Sequence, residues 1–264
     1  MKPERLIFTI TAGRTGTAWL ASFIKENSSF LSIHEFTGID DFGYRMPDIR
    51  TMRTFNDIGI TEYVKKFWDR KFESFQTIPQ YAESNHTLSK CGLIEYMDKY
   101  IDLNIDIDII LLKRSNRIKQ AISYLTRSDF LHVTIHWQWY LSFNYKRKLL
   151  NPKPFLKHGI VGITFWYIFE MESRQEYYKQ LYGDRFNFID AKLEEVTTTN
   201  GGILLANSLK INKKIILPPP KNTNNLKPSP EMIKLATNFG SMCNINPKNI
   251  AKIFIESGDR LGDI

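Results

Sequence analysis

One segment near the beginning of the chain restricts the possible folds more than any other. Leu6–Thr11 (LIFTIT) is a short apolar run rich in β-branched and aromatic residues, which predicts a buried strand. Gly13 and Gly16 follow it and predict a tight loop. Thr17–Asn27 (TAWLASFIKEN) then repeats apolar residues at helical spacing. A strand that passes through a glycine loop straight into a helix is typical of α/β proteins with a parallel sheet.

The rest of the chain continues this alternation of strands and helices. Further strands are predicted at Phe30–His34, Ile107–Leu112 and Phe186–Asp190. Helices are predicted at Thr61–Phe75, from Ile118 to Leu125 with Ser115 as the cap, at Phe130–Leu150, at Ile163–Leu181 with Gly183 ending it, at Glu231–Asn238 and at Ile250–Ser257. The pattern predicts an α/β fold with a central parallel sheet flanked by helices on both faces. The length of 264 residues fits one domain spanning 1–264.

Composition excludes several classes of protein. Hydrophobic residues make up 42% of the chain, which excludes a disordered protein, and two cysteines cannot form a disulfide scaffold. Unpaired cysteines favour a reducing, cytoplasmic location. The longest apolar run, Ile160–Phe169, has about half of the ~20 residues that a membrane span needs, so it predicts a buried helix and no integral membrane segment. The net charge of +8 favours an anionic partner: nucleic acid, a membrane surface or a phosphorylated small molecule.

The glycine loop itself is a candidate anion site. Thr11–Trp19 (TAGRTGTAW) would direct backbone N–H groups into one hollow beside the positive end of a helix. Arg14 adds a planar cationic donor, and Thr15 and Thr17 add hydroxyl groups. The loop is not a Walker A motif, because no lysine directly precedes Thr17. The alternative is an ordinary strand-to-helix turn with a surface arginine.

A second basic element follows the strand Ile107–Leu112. Arg114 ends this strand, and Ser123 lies nine residues later in the next helix, so the two side chains can converge on a second anion. P-loop NTPases usually have an aspartate at such a strand end to help hold Mg²⁺, and its absence favours anion chemistry without a metal. The alternative is a surface charge and an ordinary helix hydroxyl.

These two elements together resemble one enzyme family. TAGRTGTAWL is similar to the 5′-phosphosulfate loop of sulfotransferases that use 3′-phosphoadenosine 5′-phosphosulfate (PAPS), commonly (K/R)-(S/T)-G-T-(T/S)-(W/L). KRSNRIKQAISYL resembles their 3′-phosphate element, and its QAIS string is closer to bacterial carbohydrate sulfotransferases than to the cytosolic phenol or steroid type. The resemblance covers the nucleotide half of the chain and hardly any of the acceptor half.

The resemblance implies a sulfotransferase fold, with a P-loop-like central parallel sheet, and specific residue roles. The 5′-phosphosulfate would be held by Arg14, Thr15, Gly16, Thr17 and Ala18, the adenine would stack on Trp19, and the 3′-phosphate would be held by Arg114 and Ser123. Ala18 departs from the family pattern, because many relatives have a second hydroxyl residue there. The implied reaction is metal-free transfer of a sulfuryl group from PAPS to a hydroxyl group of a carbohydrate or glycolipid acceptor.

Two residues are candidates for the base that takes the acceptor proton. Glu35 follows the predicted second strand and resembles the catalytic glutamate of bacterial trehalose-type enzymes. His86 lies in YAESNHTLSK, which resembles a patch found in some bacterial sulfotransferases, and Glu83 in the same string lines the site or pairs with an arginine. His34 should point away from Glu35 in an extended segment and is expected to be structural.

Other functions stay open at this level. A P-loop kinase or NTPase, a basic nucleic-acid-binding protein, and a fold member that binds nucleotide without catalysis are the alternatives. No nucleic-acid-binding module is recognisable, so no nucleic-acid partner is predicted. His132 and His136 have a metal-ligand spacing but no evident third ligand, so no metal is expected. The aromatic residues from Trp137 to Tyr145 form either a sugar-stacking wall or core. The oligomeric state is left open.

Overall fold

The core of the molecule is a parallel sheet. The computed structural model describes residues 2–127, 140–211, 214–221 and 226–264. Within these ranges the strands are β1 (Arg5–Ile10), β2 (Leu31–Ile33), β3 (Gln80–Glu83), β4 (Asp106–Lys113) and β5 (Asn187–Lys192). They lie in the order β2-β3-β1-β4-β5, and every neighbouring pair is parallel. The carboxyl ends of all five strands therefore meet at one edge of the sheet.

Helices connect the strands and cover both faces. In the described ranges they are α1 (Thr17–Asn27), α2 (Ile49–Ile58), α3 (Glu62–Glu73), α4 (Leu93–Ile101), α5 (Arg117–Thr126), α6 (Lys153–Leu156), α7 (Gly159–Tyr182), α8 (Leu193–Val196), α9 (Thr199–Ser208), α10 (Pro230–Met242) and α11 (Pro247–Glu256). Short 3₁₀ turns occur at Ile39–Asp41 and Leu88–Lys90. None of the helices in the described part of the chain has the length and apolar character that crossing a membrane requires.

Alternate residues of the central strands enter two separate apolar clusters. Phe8 of β1 and Ile109 of β4 pack under the larger cluster, which contains residues of α3, α4, α5, α7, α10 and α11. Ile7 and Ile110, one residue away in each strand, pack under the smaller cluster with residues of α1 and α9. A strand buried on both faces has no polar face, which is why β1 and β4 are almost uninterrupted apolar runs.

The long helix α7 crosses the carboxyl ends of the two central strands. Its apolar run Ile160–Phe169 lies inside the helix as predicted, and most of the helix is buried. Gln175 donates from Nε2 to the backbone oxygens of Ile10 at 2.5 Å and Leu112 at 3.2 Å. The Tyr167 hydroxyl donates to the Ala12 oxygen at 2.6 Å, and the Tyr124 hydroxyl of α5 donates to the same atom at 2.7 Å. Helices α5 and α7 thus fix the chain where β1 ends and the glycine loop begins.

The predicted α/β class with a parallel sheet flanked by helices is confirmed, and several local expectations are wrong. Residues 140–150 form turns and bends, whereas a helix was predicted there; the earlier part of that predicted helix lies outside the described residues. Buried side chains satisfy this backbone instead: Glu170 accepts from the Leu149 and Leu150 amides. Ser115 does not cap α5, because the Asn116 side chain accepts from the Lys119 amide.

Candidate functional site

The connections that follow all five strands contribute residues to one cleft of about 880 Å³ at the carboxyl edge of the sheet. The glycine loop follows β1, and His34 and Glu35 follow β2. His86 follows β3, Arg114 follows β4, and Leu193 and Glu194 follow β5. Ligands of open parallel sheets bind at this edge, where neighbouring connections leave in opposite directions. The cleft lies within the usual range of about 300–1,000 Å³ for small-molecule and cofactor sites.

The glycine loop has the backbone conformation of an anion cradle. Gly13, Arg14 and Gly16 have φ angles of +95°, +55° and +88°. Such left-handed residues turn successive N–H groups toward one side. Gly16 lies at the N-cap of α1, where no side chain among the described residues caps the first amides. The positive end of α1 and the loop amides therefore open toward the cleft.

Hydrogen bonds hold the loop in this shape. The Thr11 and Thr15 hydroxyl oxygens are 2.6 Å apart and both side chains are buried. Gln120 of α5 donates to the Gly13 oxygen at 2.8 Å. Thr15, which was predicted to hold an anion, is buried and outside the described cleft lining, and its hydroxyl is hydrogen-bonded to that of Thr11.

The two basic elements predicted from the sequence lie against each other. Arg14 Nε donates to Ser123 Oγ at 3.0 Å, which joins the glycine loop to α5. Arg114 lies in the same cleft, and its Nε donates to Glu194 Oε1 at 3.3 Å. The second Glu194 oxygen accepts from the Ser115 amide at 2.9 Å. Glu194 thus orients Arg114 through one nitrogen. Its carboxylate also partly compensates the positive charge of the arginine in this part of the cleft.

Cationic side chains outnumber carboxylates in the cleft wall. Among the described residues, five basic side chains line it, from Arg14, Arg114, Lys119, Arg127 and Lys221, against the carboxylates of Glu35 and Glu194. Low-dielectric walls with a surplus of one charge concentrate ligands of the opposite charge. The cleft therefore favours an anionic ligand.

Trp19 lies at one end of the cleft with Pro218 and Pro220. Its indole is 4% exposed, stacks on Phe23 with ring centroids 5.2 Å apart, and donates from Nε1 to the Pro218 oxygen at 2.9 Å. The ring is held in place and contributes an apolar boundary. Ala18, predicted to bind through its backbone, lies beside it in the cleft lining.

Glu35 lies deep in the cleft, with its side chain 8% exposed. Burial raises the pKa of Glu35 to about 7, opposed by a hydrogen bond from the His86 amide and by the charges of Lys90 and Arg14. A carboxyl group with this pKa can exchange a proton near neutral pH, as general acid–base catalysis requires.

The expectation that His34 points away from Glu35 is wrong. Its Nε2 lies 2.8 Å from the Thr17 hydroxyl oxygen and 3.6 Å from Glu35 Oε1, and it lines the cleft. Strand β2 ends at Ile33, so the alternation of side chains does not continue through His34 and Glu35. Burial lowers the pKa of His34 to about 4, so its ring is neutral at pH 7.

His86, the second candidate base, also lies next to Glu35. Its Nε2 is 3.8 Å from Glu35 Oε1, and its Nδ1 is 2.8 Å from Lys90 Nζ. A methyl group on Gly13 would lie 3.3 Å from His86 Cγ, so the ring packs closely on the glycine loop. Burial lowers the pKa of His86 well below its usual value, and the Lys90 charge acts in the same direction.

Glu83 belongs to a separate buried cluster outside the described cleft lining. Its Oε2 accepts from Lys71 Nζ at 2.5 Å and from the Tyr81 hydroxyl at 2.5 Å. Asn85 Nδ2 donates to its other oxygen at 2.9 Å. The partner is a lysine of α3, where an arginine was one of the two predicted outcomes.

Several residues of the cleft lining, among them Glu194 and Lys221, were not found from the sequence, and neither was Lys90, which is buried beside the cleft. Lys90 follows His86 by four residues in a 3₁₀ turn, Glu194 begins the chain after β5, and Lys221 follows a proline run. Glu194 had a detectable signal, because an acidic residue directly after a strand end faces the same edge as Arg114. Nothing in the local pattern distinguishes Lys90 or Lys221 from surface lysines.

A metal site is not visible in the described ranges. No group of three or more histidine, cysteine, aspartate or glutamate side chains there could hold an ion. His132 and His136, as well as the rings Trp137 and Trp139, lie outside the described residues.

Comparison with known proteins gives no relative. The chain matches no protein-family model, no curated protein and no solved structure.

Proposed function

We propose that this protein is a PAPS-dependent sulfotransferase that acts on a hydroxyl group of a carbohydrate or glycolipid. The observation that supports this most is the direct contact between the two predicted anion elements: Arg14 and Ser123 are hydrogen-bonded at 3.0 Å, and Arg114 lies in the same cleft. A nucleotide with phosphate groups at both its 5′ and 3′ positions requires two such elements in one cleft.

The residues of the cleft fit this nucleotide. The amides of residues 13–18 and the Arg14 guanidinium would hold the 5′-phosphosulfate, and Arg114 with Ser123 would hold the 3′-phosphate. The apolar boundary of Trp19, Leu193 and Pro218 would cover the adenine. Because Trp19 already stacks on Phe23, its ring has at most one face for the base.

In the proposed reaction the acceptor hydroxyl oxygen attacks sulfur in line with the bond to the 5′-phosphate. The S–O bond to the phosphate breaks, 3′-phosphoadenosine 5′-phosphate leaves, and Glu35 takes the hydroxyl proton. Arg14 and the loop amides stabilise the charge that develops on the leaving phosphate. Because Glu35 acts as a carboxylate, transfer is slower below pH about 7.

The proposal places the reaction in a reducing compartment such as the cytoplasm, because Cys91 and Cys243 are free thiols.

The decisive test is calorimetric titration with 3′-phosphoadenosine 5′-phosphate, using ATP with Mg²⁺ as the comparison. We expect saturable binding of the first nucleotide and much weaker binding of ATP. Arg14→Ala should weaken binding about 10- to 100-fold, because a charge-assisted hydrogen bond to phosphate contributes ~1.5–3 kcal/mol. Arg53→Ala, which removes an exposed arginine of α2, is the matched control and should leave binding unchanged.

Three outcomes would overturn the proposal. Equal or tighter binding of ATP together with its hydrolysis would identify a kinase or NTPase. Binding of neither nucleotide would remove the basis of the assignment. Strong binding to DNA or RNA that falls steeply with salt, with no nucleotide binding, would identify a nucleic-acid-binding protein.

A further inference from the structure

Lys90 is the most deeply enclosed cation beside the cleft. Its side chain is fully buried, and its Nζ lies 2.8 Å from Nδ1 of His86. The other ring nitrogen of His86 faces Glu35 Oε1 at 3.8 Å, and Glu35 also accepts a hydrogen bond from the His86 amide. Lys90, His86 and Glu35 therefore lie next to one another in this order, and Glu35 is the proposed base.

Burial lowers the pKa of Lys90 well below its usual value, and the negative charge of Glu35 and two aromatic rings oppose this effect. Its Nζ lies 5.1 Å from the ring centre of Tyr167 and 5.4 Å from that of Tyr140. Aromatic faces attract a desolvated ammonium group strongly. Glu35 adds a negative charge on the same side.

A charged Lys90 determines the position of the ring proton on His86. An ammonium group has donors and no acceptor, so it can only donate to Nδ1. Nδ1 must then present its lone pair, and in a neutral imidazole the proton is left on Nε2. Burial and the charges of Lys90, His34 and Arg14 all lower the pKa of His86, so the ring stays neutral.

We propose that Lys90 is a positioning residue that holds His86 as the neutral Nε2–H tautomer, with this N–H directed toward the Glu35 carboxylate. The catalytic consequence of this inference rests on the proposed sulfotransferase function. His86 then presents a donor to Glu35 and cannot accept the acceptor proton at Nε2. Of the two candidate bases, only Glu35 has a proton-accepting atom toward the cleft.

The charge of Lys90 also acts on Glu35 itself. The groups that influence the Glu35 carboxyl from neighbouring elements are His34, Glu83, His86, Lys90 and Arg14. Among the described residues, those that influence Lys90 include His86, Glu35, Cys91 and Arg174, together with the rings of Tyr140 and Tyr167. Lys90 lowers the pKa of Glu35, so removing the ammonium group should raise that pKa by about 1 pH unit.

The test is NMR of the ligand-free protein, which needs no acceptor or activity. In wild-type protein labelled with ¹⁵N-histidine, with His86→Gln to assign the signals, we expect the His86 ring to show the Nε2–H tautomer from pH 5 to 8. Lys90→Met keeps an unbranched apolar chain and removes the charge. It should mix the two tautomers and raise the Glu35 pKa, followed by the ¹³C shift of its carboxyl carbon. Lys252→Met, on the exposed side of α11, is the control and should change neither signal.

The wild-type measurement decides the inference even if Lys90→Met does not fold. An Nδ1–H tautomer, or a protonated His86 ring at pH 7, would overturn it. An unchanged tautomer and an unchanged Glu35 pKa in a folded Lys90→Met variant would overturn it as well. Nucleotide titration is independent of these signals, so failure of the proposed function and failure of this inference are distinguishable.

Discussion

Gly16 combines two requirements that only glycine meets. Its φ angle of +88° lies in the left-handed region, and the position where a Cβ would stand is occupied by the Leu193 side chain after β5. A side chain at this position would strain the loop and push Leu193 away from the cleft. The glycine loop and the chain after β5 are therefore packed closely against each other. A single added methyl group at residue 16 would change the shape of the cleft, because Leu193 lines it.

Gly16→Ala should weaken binding of 3′-phosphoadenosine 5′-phosphate by about tenfold or more, because its Cβ meets Leu193 and moves the loop amides, and each hydrogen bond lost to a charged phosphate costs ~1.5–3 kcal/mol. Calorimetric titration measures the loss. Gly258→Ala is the matched control: its φ is +86° and no atom lies within 4 Å of its Cβ position. Both variants carry similar backbone strain, and Gly16→Ala loses further stability because its Cβ meets Leu193. Equal nucleotide affinity in the two would contradict a role of the loop in binding.

At the scale of single residues, the sequence predicts those parts of the site whose function depends on local backbone. Arg14 and Gly16 belong to a strand–loop–helix segment, and Arg114 and Ser123 follow a strand end, so their place at one edge is implied by the topology. Lys90 was not predictable, because its contact with His86 depends on a 3₁₀ turn and on the tyrosines of distant segments. His34 was misjudged because the strand ends one residue earlier than its pattern indicates.

Helix α3 and strand β3 are joined by an ion pair inside the core. Lys71 and Glu83 are both 0% exposed and lie 2.5 Å apart. Burial lowers the pKa of Lys71, and the adjacent carboxylate opposes that effect. Tyr81 and Asn85 donate the remaining hydrogen bonds to Glu83. Such a pair is stable only while both members are present.

Lys71→Met should lower the free energy of unfolding by about 3–5 kcal/mol, because it leaves a buried carboxylate without its cation. Urea unfolding followed by circular dichroism measures this change. Lys65→Met on the same helix removes an exposed pair with Glu62 and should cost less than ~1 kcal/mol. The double variant Lys71→Met/Glu83→Gln should recover much of the loss. A single variant as stable as Lys65→Met would show that the pair contributes nothing.

At the scale of elements, helices and strands were predictable where their hydrophobic pattern extends over many residues. Elements of only a few residues with mixed polarity were not predictable. Strands β1 and β4 were found because they are mostly apolar runs, β5 because aromatic and β-branched residues recur in it, and α7 because its apolar stretch is long. β3 was missed: its four residues, QYAE, include two polar side chains, of which Glu83 is buried only because Lys71 neutralises it. Residues 140–150 resemble a helix in pattern, but Glu170 and Asp57 bind their backbone amides in another conformation.

The structure shows where the basic side chains behind the positive net charge of the molecule lie. The net charge of +8 is spread along the sequence, and most basic side chains lie outside the cleft. Within the cleft, Glu194 accepts from Arg114 and so limits the local positive charge. The remaining cationic surplus of the described cleft lining favours a small anionic ligand, in agreement with the proposed nucleotide.

The stability of the whole molecule should depend on pH through buried groups whose pKa values are shifted in opposite directions. Burial raises the pKa of Glu95 to about 7 from its ordinary 4.5, so the folded state binds more protons and stability falls as pH rises through this interval. The lowered pKa of His34, about 4, acts the other way, because the unfolded state takes up protons first below pH 6.5. The two effects overlap, and only a comparison of variants separates them.

Glu95→Gln isolates the carboxyl contribution. The Glu95 side chain accepts from the Tyr178 hydroxyl at 3.0 Å, and its second oxygen has no partner among the described residues. The wild type should lose about 3 kcal/mol relative to this variant between pH 4.5 and 8, since each pH unit of pKa difference corresponds to ~1.4 kcal/mol. Urea unfolding at several pH values measures the difference, and any constant cost of the amide cancels in its slope. Glu73→Gln, on the exposed side of α3, is the control and should run parallel to the wild type. Parallel curves for Glu95→Gln and the wild type would mean that this carboxyl has the same pKa in the folded and unfolded protein, and that the interior beneath α4 is more polar than its packing indicates.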